Sequence, residues 1–101
     1  RDSVDIIKSG GYKISALEIE DVLLRHPMIK ECAVVGIADQ KWGELVAVAL
    51  CCSENLTLEE IQTWSLDFLS EYKIPRNLKI FEELPKNAMG KVVKTEIKKL
   101  F

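Results

Sequence analysis

The sequence predicts an α+β domain in which small antiparallel sheets, an N-terminal hairpin plus about three strands, pack with three helices. Three observations carry that prediction. Two helix starts are marked by capping residues, at Ser15 and Thr57. Two β-prone runs, 31–38 and 44–52, flank a short polar loop. Connections of antiparallel length join the strands, in the order ββαββαβα.

The elements follow in chain order. Asp5 to Lys8 and Tyr12 to Ile14 flank Ser9-Gly10-Gly11, a hairpin with a glycine turn. Ser15 then caps a helix, Glu18 sits three residues on to close a capping box, and Ile14 can staple onto Ile19. Ala16, Ile19, Val22 and Leu23 recur at helical spacing until Pro27 ends the run. The strands 31–38 and 44–52 come next, joined by Asp39-Gln40-Lys41-Trp42-Gly43. A second helix repeats the start signals, with Thr57 as cap, Glu60 closing the box and Leu56 stapling onto Ile61, and is expected to run through Trp64, Phe68 and Leu69. Pro75 interrupts the chain, 78–82 reads as a short strand, and Val93, Ile97, Leu100 and Phe101 are spaced as one face of a final helix.

A chain of 101 residues makes one domain, large enough to bury a core without staples. With 48% hydrophobic and 30% charged residues it falls in the ordinary globular range, which excludes disordered and collagen-like classes. A net charge of -2 argues against a nucleic-acid partner. The charge is uneven all the same: Lys86, Lys91, Lys94, Lys98 and Lys99 crowd the end, and Glu54, Glu59, Glu60 and Asp67 load the middle. Cys32, Cys51 and Cys52 fit no zinc spacing and no disulfide framework, which points to reduced thiols and an intracellular setting. The apolar runs are too short for a transmembrane segment. The first residue is Arg1 rather than methionine, so a fragment of a longer chain is expected.

Two segments place lysine beside glycine in turn-prone sequence, an arrangement that brings a cation and bare amides up to an anion. One is Lys8-Ser9-Gly10-Gly11; the other is Asn87-Ala88-Met89-Gly90-Lys91. Lys91 extends from a loop before the last helix, where a flexible ammonium can meet a phosphate or carboxylate. It is not part of a P-loop, because Pro85 stands at the first glycine position and Val92 replaces the hydroxyl residue. For Lys8, Gly10 and Gly11 two readings stay open: an edge strand with its turn, or a backbone bare enough for a narrow linear ligand. Glu18 has a sufficient role in its capping box, Glu20 is expected to face water, and His26 is read as a helix-end residue favoured by the C-terminal dipole. No nucleophile–base pair, carboxylate dyad or metal-ligand cluster is visible, which argues against a self-sufficient hydrolase.

Taken together, Asp5-Ile6-Ile7-Lys8-Ser9-Gly10-Gly11-Tyr12, Glu18-Ile19-Glu20, Val34-Val35-Gly36-Ile37-Ala38-Asp39, Gly43-Glu44, Tyr72-Lys73-Ile74-Pro75-Arg76 and Leu84-Pro85-Lys86-Asn87 followed by Gly90-Lys91 resemble one family over essentially all 101 residues. That family is the C-terminal domain of adenylate-forming enzymes: acyl-CoA synthetases, luciferases and peptide-synthetase adenylation domains. The resemblance implies a mobile lid comprising 1–101, with a hinge region at 1–5 and Ser3 or Val4 as the pivot. Its partner would be its own N-terminal domain, which binds ATP and the carboxylic acid substrate (malonate or a fatty acid) and holds most of the Mg coordination. Lys91 and Lys8 would then be catalytic. Lys91 would enter the active site while acyl-adenylate forms, and the Lys8 face would replace it for transfer to coenzyme A. Gly10, Gly11, Trp42, Tyr72 and Arg76 match positions near coenzyme A. Their alternatives are a simple turn, a half-buried loop tryptophan, a partly buried tyrosine and a surface arginine. The resemblance further implies a mitochondrial setting and no activity for the domain alone. Two other readings are a domain that loads a carrier protein and a non-catalytic interaction module docking through its basic C-terminal helix.

Overall fold

The computed structural model describes residues 5–101. The expected pivot residues Ser3 and Val4, and all of the hinge region except Asp5, lie outside the described residues.

The glycine hairpin forms as expected: β1 (Ile6–Ser9) pairs antiparallel with β2 (Tyr12–Ser15) across Gly10 and Gly11, both at positive φ. Helix α1 (Ala16–Leu23) starts at Ser15, whose Oγ accepts the Glu18 amide at 3.2 Å. The Glu18 carboxylate does not close the box. It turns to Lys73 Nζ, at 2.9 and 3.1 Å, because an ammonium competes for it more strongly than one backbone amide.

Strands β3 (Ile29–Asp39) and β4 (Gly43–Cys52) make the long central hairpin. Three residues link them, and Asp39 Oδ2 stiffens the turn by accepting the amides of Lys41 (3.0 Å) and Trp42 (2.9 Å). Helix α2 (Leu58–Ser65) carries the full capping box, with Glu60 N to Thr57 Oγ1 at 3.1 Å and Thr57 N to Glu60 Oε1 at 2.9 Å. It ends before Phe68: the Ser65 hydroxyl donates to the Ile61 carbonyl at 2.7 Å, the chain turns, and Leu69 is buried while Phe68 is left exposed. A 3-10 turn (Glu71–Lys73) precedes β5 (Asn77–Ile80), and α3 (Lys94–Lys98) closes the chain. Ile97 is the buried residue of α3; Leu100 lies outside the helix and faces solvent.

The α+β class with three helices holds. The strands join one five-stranded sheet in the order β2-β1-β4-β3, and β5 adds to β4 in parallel. Because β3 occupies one edge of β4, β1 and β5 share the other, β1 at Gly43 and β5 along Ala47–Leu50. The parallel pairing, which the sequence reading missed, follows from α2 acting as the crossover between β4 and β5.

Burial on both faces explains why 32–38 of β3 and 45–52 of β4 are continuous runs without a charge. Val34, Val46, Val48 and Leu50 meet Ile7, Ile14, Ile19, Leu23 and Ile61 on one side. Ala33, Val35, Ala47, Ala49 and Cys51 meet Leu84 and Ile97 on the other, where three small alanines let the C-terminal segment come close.

One further expectation is corrected here. Glu20 does not face water: its Oε2 accepts the Val34 amide at 2.8 Å and pairs with Lys94 Nζ at 2.7 Å, which also reaches Asp5 Oδ1 at 2.7 Å. His26 lies past the end of α1, where its Nδ1 accepts the Met28 amide at 3.1 Å and its ring packs on Trp64 at 5.1 Å.

Candidate functional site: two ends of the central hairpin

At one end of the β3–β4 hairpin, the glycine turn folds over the loop tryptophan. The Gly10 amide donates to the Trp42 carbonyl at 2.8 Å. A Cβ on Gly10 would meet Trp42 Cε3 at 2.9 Å, and its φ of 57° lies in the left-handed region, so glycine is required there twice over. Gly11, at φ 87°, would meet nothing within 4 Å; its glycine serves the turn alone.

Around this contact lies a small cleft lined by Ser9, Gly10, Tyr12, Trp42, Tyr72 and Arg76. Four of the five expected coenzyme A residues thus bear on one place, since only Gly11 stays off the cleft wall. Trp42 is 42% exposed, and the Arg76 guanidinium lies 6.0 Å from its ring centroid. The Lys41 ammonium lies 5.3 Å from the same ring. Tyr72 is held by Tyr12, whose ring stacks on it at 3.9 Å and 14°. A flat aromatic surface beside a guanidinium suits a heteroaromatic base and a phosphate. Lys8 is exposed on β1 with its amide bonded to Glu44 Oε1 at 2.8 Å.

At the other end, the Asn87–Lys91 loop is a closed ring of hydrogen bonds. Asn87 Oδ1 accepts the amides of Met89 (2.9 Å) and Lys91 (3.0 Å), while the Asn87 amide donates to the Lys91 carbonyl at 2.9 Å. Gly90 turns at φ 82°, and Lys86 bridges to Val92 across the loop. Its root is fixed by Lys86 Nζ on Glu31 Oε2 at 2.7 Å, at the start of β3. The Glu31 carboxylate holds the Lys86 ammonium above the usual lysine range. Lys91 is exposed, and neither it nor Lys8 enters an ion pair among the described residues. From Glu31 to Asp39 the strand rises roughly 26 Å, which separates the root of this loop from the glycine end.

Three residues quoted in the sequence motifs have positioning roles that the sequence reading did not assign: Tyr12 behind Tyr72, Glu44 beneath Lys8, and Asn87 within its loop. Only Asn87 carried a local signal, an asparagine three residues before glycine in a loop. The cysteines are free, and Cys32 is chemically quiet: burial, helped by the Glu20 carboxylate, pushes its thiol up to about 12. Among the described residues no group of three or more His, Cys, Asp or Glu is placed to hold a metal ion, and no helix is long and apolar enough to cross a membrane.

Residues 18–91 match the family described as the AMP-binding enzyme C-terminal domain, and the chain belongs to that family. It is 47% identical to a malonate–CoA ligase of Arabidopsis thaliana, over 98% of this chain and 18% of that protein. It is 46% identical to a mitochondrial malonate–CoA ligase of Bos taurus, over 96% of this chain and 17% of that protein. Among solved structures, o-succinylbenzoate CoA synthetase of Bacillus subtilis, in complex with its acyl-adenylate intermediate, superposes with a TM-score of 0.86 at 35% identity, covering 93% of this chain and 19% of that one. The chain therefore spans less than a fifth of the length of these two ligases.

Proposed function

We propose that this domain is the mobile lid of an AMP-forming acid–CoA ligase, and that it works by offering its two ends in turn to an active site on a separate N-terminal domain. The observation that carries the reading is the separation just described: an ammonium on a stiff loop, unpaired among the described residues, at one end of β3, and an aromatic and guanidinium cleft beside a glycine turn at the other.

The chemistry calls for both. When a carboxylate attacks the α-phosphate of ATP, two anions meet, and a cation must offset their repulsion as charge builds up on the transferring group. Lys91 supplies that cation as a point charge, with the Asn87 ring fixing where its side chain leaves the loop. In the second step a thiol attacks the acyl-adenylate. Here Gly10 and Trp42 give the narrow arm of coenzyme A a wall without side-chain obstruction, and Tyr72 with Arg76 receives the nucleotide. Lys8 flanks that wall with a second positive charge. The Arg76–Trp42 arrangement fits an anionic, aromatic ligand; Mg finds no cluster of ligands among the described residues and would be held by the other domain.

Malonate is the acid proposed, on the strength of the two relatives named malonate–CoA ligase, and the mitochondrion the compartment, on the strength of one of them. The test uses the full-length protein. ATP, malonate and coenzyme A are expected to yield AMP, pyrophosphate and malonyl-CoA. A protein that transfers its acyl group only to a carrier protein, and not to free coenzyme A, would overturn the proposal in favour of carrier loading.

A further inference from the structure

We propose that Glu44 is the positioning residue of the coenzyme A face: its carboxylate fixes the Lys8 amide and thereby sets where Gly10 lies against Trp42. This rests on the ligase reading above, and it concerns a residue outside the cleft lining.

The hairpin β1–β2 is attached lightly at this end of the sheet. β1 meets β4 through a single register pair, Ser9 with Gly43. Two hydrogen bonds flank that pair: Gly10 N to the Trp42 carbonyl at 2.8 Å, and Lys8 N to Glu44 Oε1 at 2.8 Å. The second is the only one of the two made by a side chain, and it is charge-assisted, the stronger kind. Removing it takes away the side-chain tether of that pair and leaves only its backbone pairing to hold the glycine turn.

The opposite strand keeps room for that carboxylate. Gly36 on β3 pairs with Val46, and a Cβ there would meet the Glu44 carboxyl carbon and Oε1, both at 2.9 Å, and Ile7 Cγ2 at 3.1 Å. Gly36 does not have a positive φ, so its backbone alone would accept a side chain. What glycine supplies at 36 is space for the Glu44 head group. An acceptor reaching from β4 to β1 and a void shaped for it on β3 are independent features that converge on one carboxylate.

The test is made in the full-length protein by following the two half-reactions separately: malonate-dependent ATP–pyrophosphate exchange, and thioester formation from supplied malonyl-adenylate at varied coenzyme A. Glu44→Ala is expected to raise the coenzyme A concentration for half-maximal rate about tenfold, the effect of losing one charge-assisted hydrogen bond, with exchange held within about twofold. Glu44→Gln keeps an acceptor oxygen and is expected to recover most of that loss. Gly36→Ala, which crowds the carboxylate without removing it, is expected to raise the coenzyme A requirement in the same direction, and it carries the test should Glu44→Ala fail to fold. An unchanged coenzyme A response with exchange intact would overturn the assignment of Glu44 and leave the ligase reading standing. Parallel losses in exchange, thioester formation and melting temperature would also overturn it, by reducing Glu44 to a fold residue. Absence of exchange and of thioester formation in the unmodified protein would instead defeat the ligase reading.

Discussion

The two ends of the central hairpin are built in opposite ways. The glycine end is a composite surface: Gly10, Tyr12, Trp42, Tyr72 and Arg76 come from the β1–β2 turn, β2, the β3–β4 turn and the segment after α2, and two left-handed glycines are needed to fold it. The lysine end is local, five residues closed on themselves by one asparagine side chain, with an ammonium left over. A surface that must shape itself to an extended ligand draws on several elements. A point charge needs only a rigid stalk. If the domain serves two steps, the first end should be sensitive to packing and the second to charge alone.

The largest effect should fall on the lysine end. Lys91→Ala in the full-length protein is expected to slow adenylate formation about a hundredfold or more, as removal of a preorganised electrostatic group does, while thioester formation from supplied acyl-adenylate survives. Pyrophosphate exchange and thioester assays run side by side check this. Equal loss in both would erase the distinction between the ends.

The glycine end should respond to bulk instead. Gly10→Val forces a β-branched side chain into a left-handed conformation and against Trp42, at a cost of about 1–3 kcal/mol in domain stability. Denaturant unfolding should show that loss together with a higher coenzyme A requirement. An unchanged requirement would mean the turn does not face the ligand. Gly11→Ala sharpens the point: it shares the positive φ but not the contact, so it should lose stability with a smaller change in coenzyme A use.

Thr57→Ala lies at neither end. Loss of its capping box should cost about 1 kcal/mol in thermal stability, with both half-reactions unaltered below the melting transition.

The smallest effect compares the two lysine–glutamate pairs that brace the ends, Lys73–Glu18 beside Tyr72 and Lys86–Glu31 at the root of the Lys91 loop. In each the partner carboxylate raises the lysine above its ordinary value of 10.5. A raised folded value means that each pair contributes fully below the unfolded value and is lost as pH climbs through the higher folded one. Stability should therefore decline above about pH 10.5, and Lys73→Met should remove part of that alkaline slope. Both pairs are partly solvated, so added salt should blunt the effect.

How much of this was legible depended on the range of each interaction. Ser15 and Thr57 announced their helices because a cap acts within three residues, and Gly10, Gly11 and Gly90 announced turns for the same reason. The Glu18 box failed because a distant lysine bid for the same carboxylate. Glu20 misled because its polarity suggested solvent, whereas the fold supplied both the Val34 amide and the Lys94 ammonium. α2 was overextended because Phe68 continues the helical spacing, and the Ser65 back-bond that turns the chain leaves no mark in periodicity.

The sequence by itself determined where the chain turns, which stretches are buried strands, and which two places pair lysine with glycine. Those follow from backbone sterics and from interactions a few residues long. Only the tertiary structure decided that β5 runs parallel to β4, that Tyr12 backs Tyr72, that Glu44 reaches the Lys8 amide, and that the two glycine–lysine segments stand at opposite ends of one hairpin. The physical reason is that each depends on groups far apart in sequence, and their meeting is fixed by how sheet and helices bury both faces of β3 and β4.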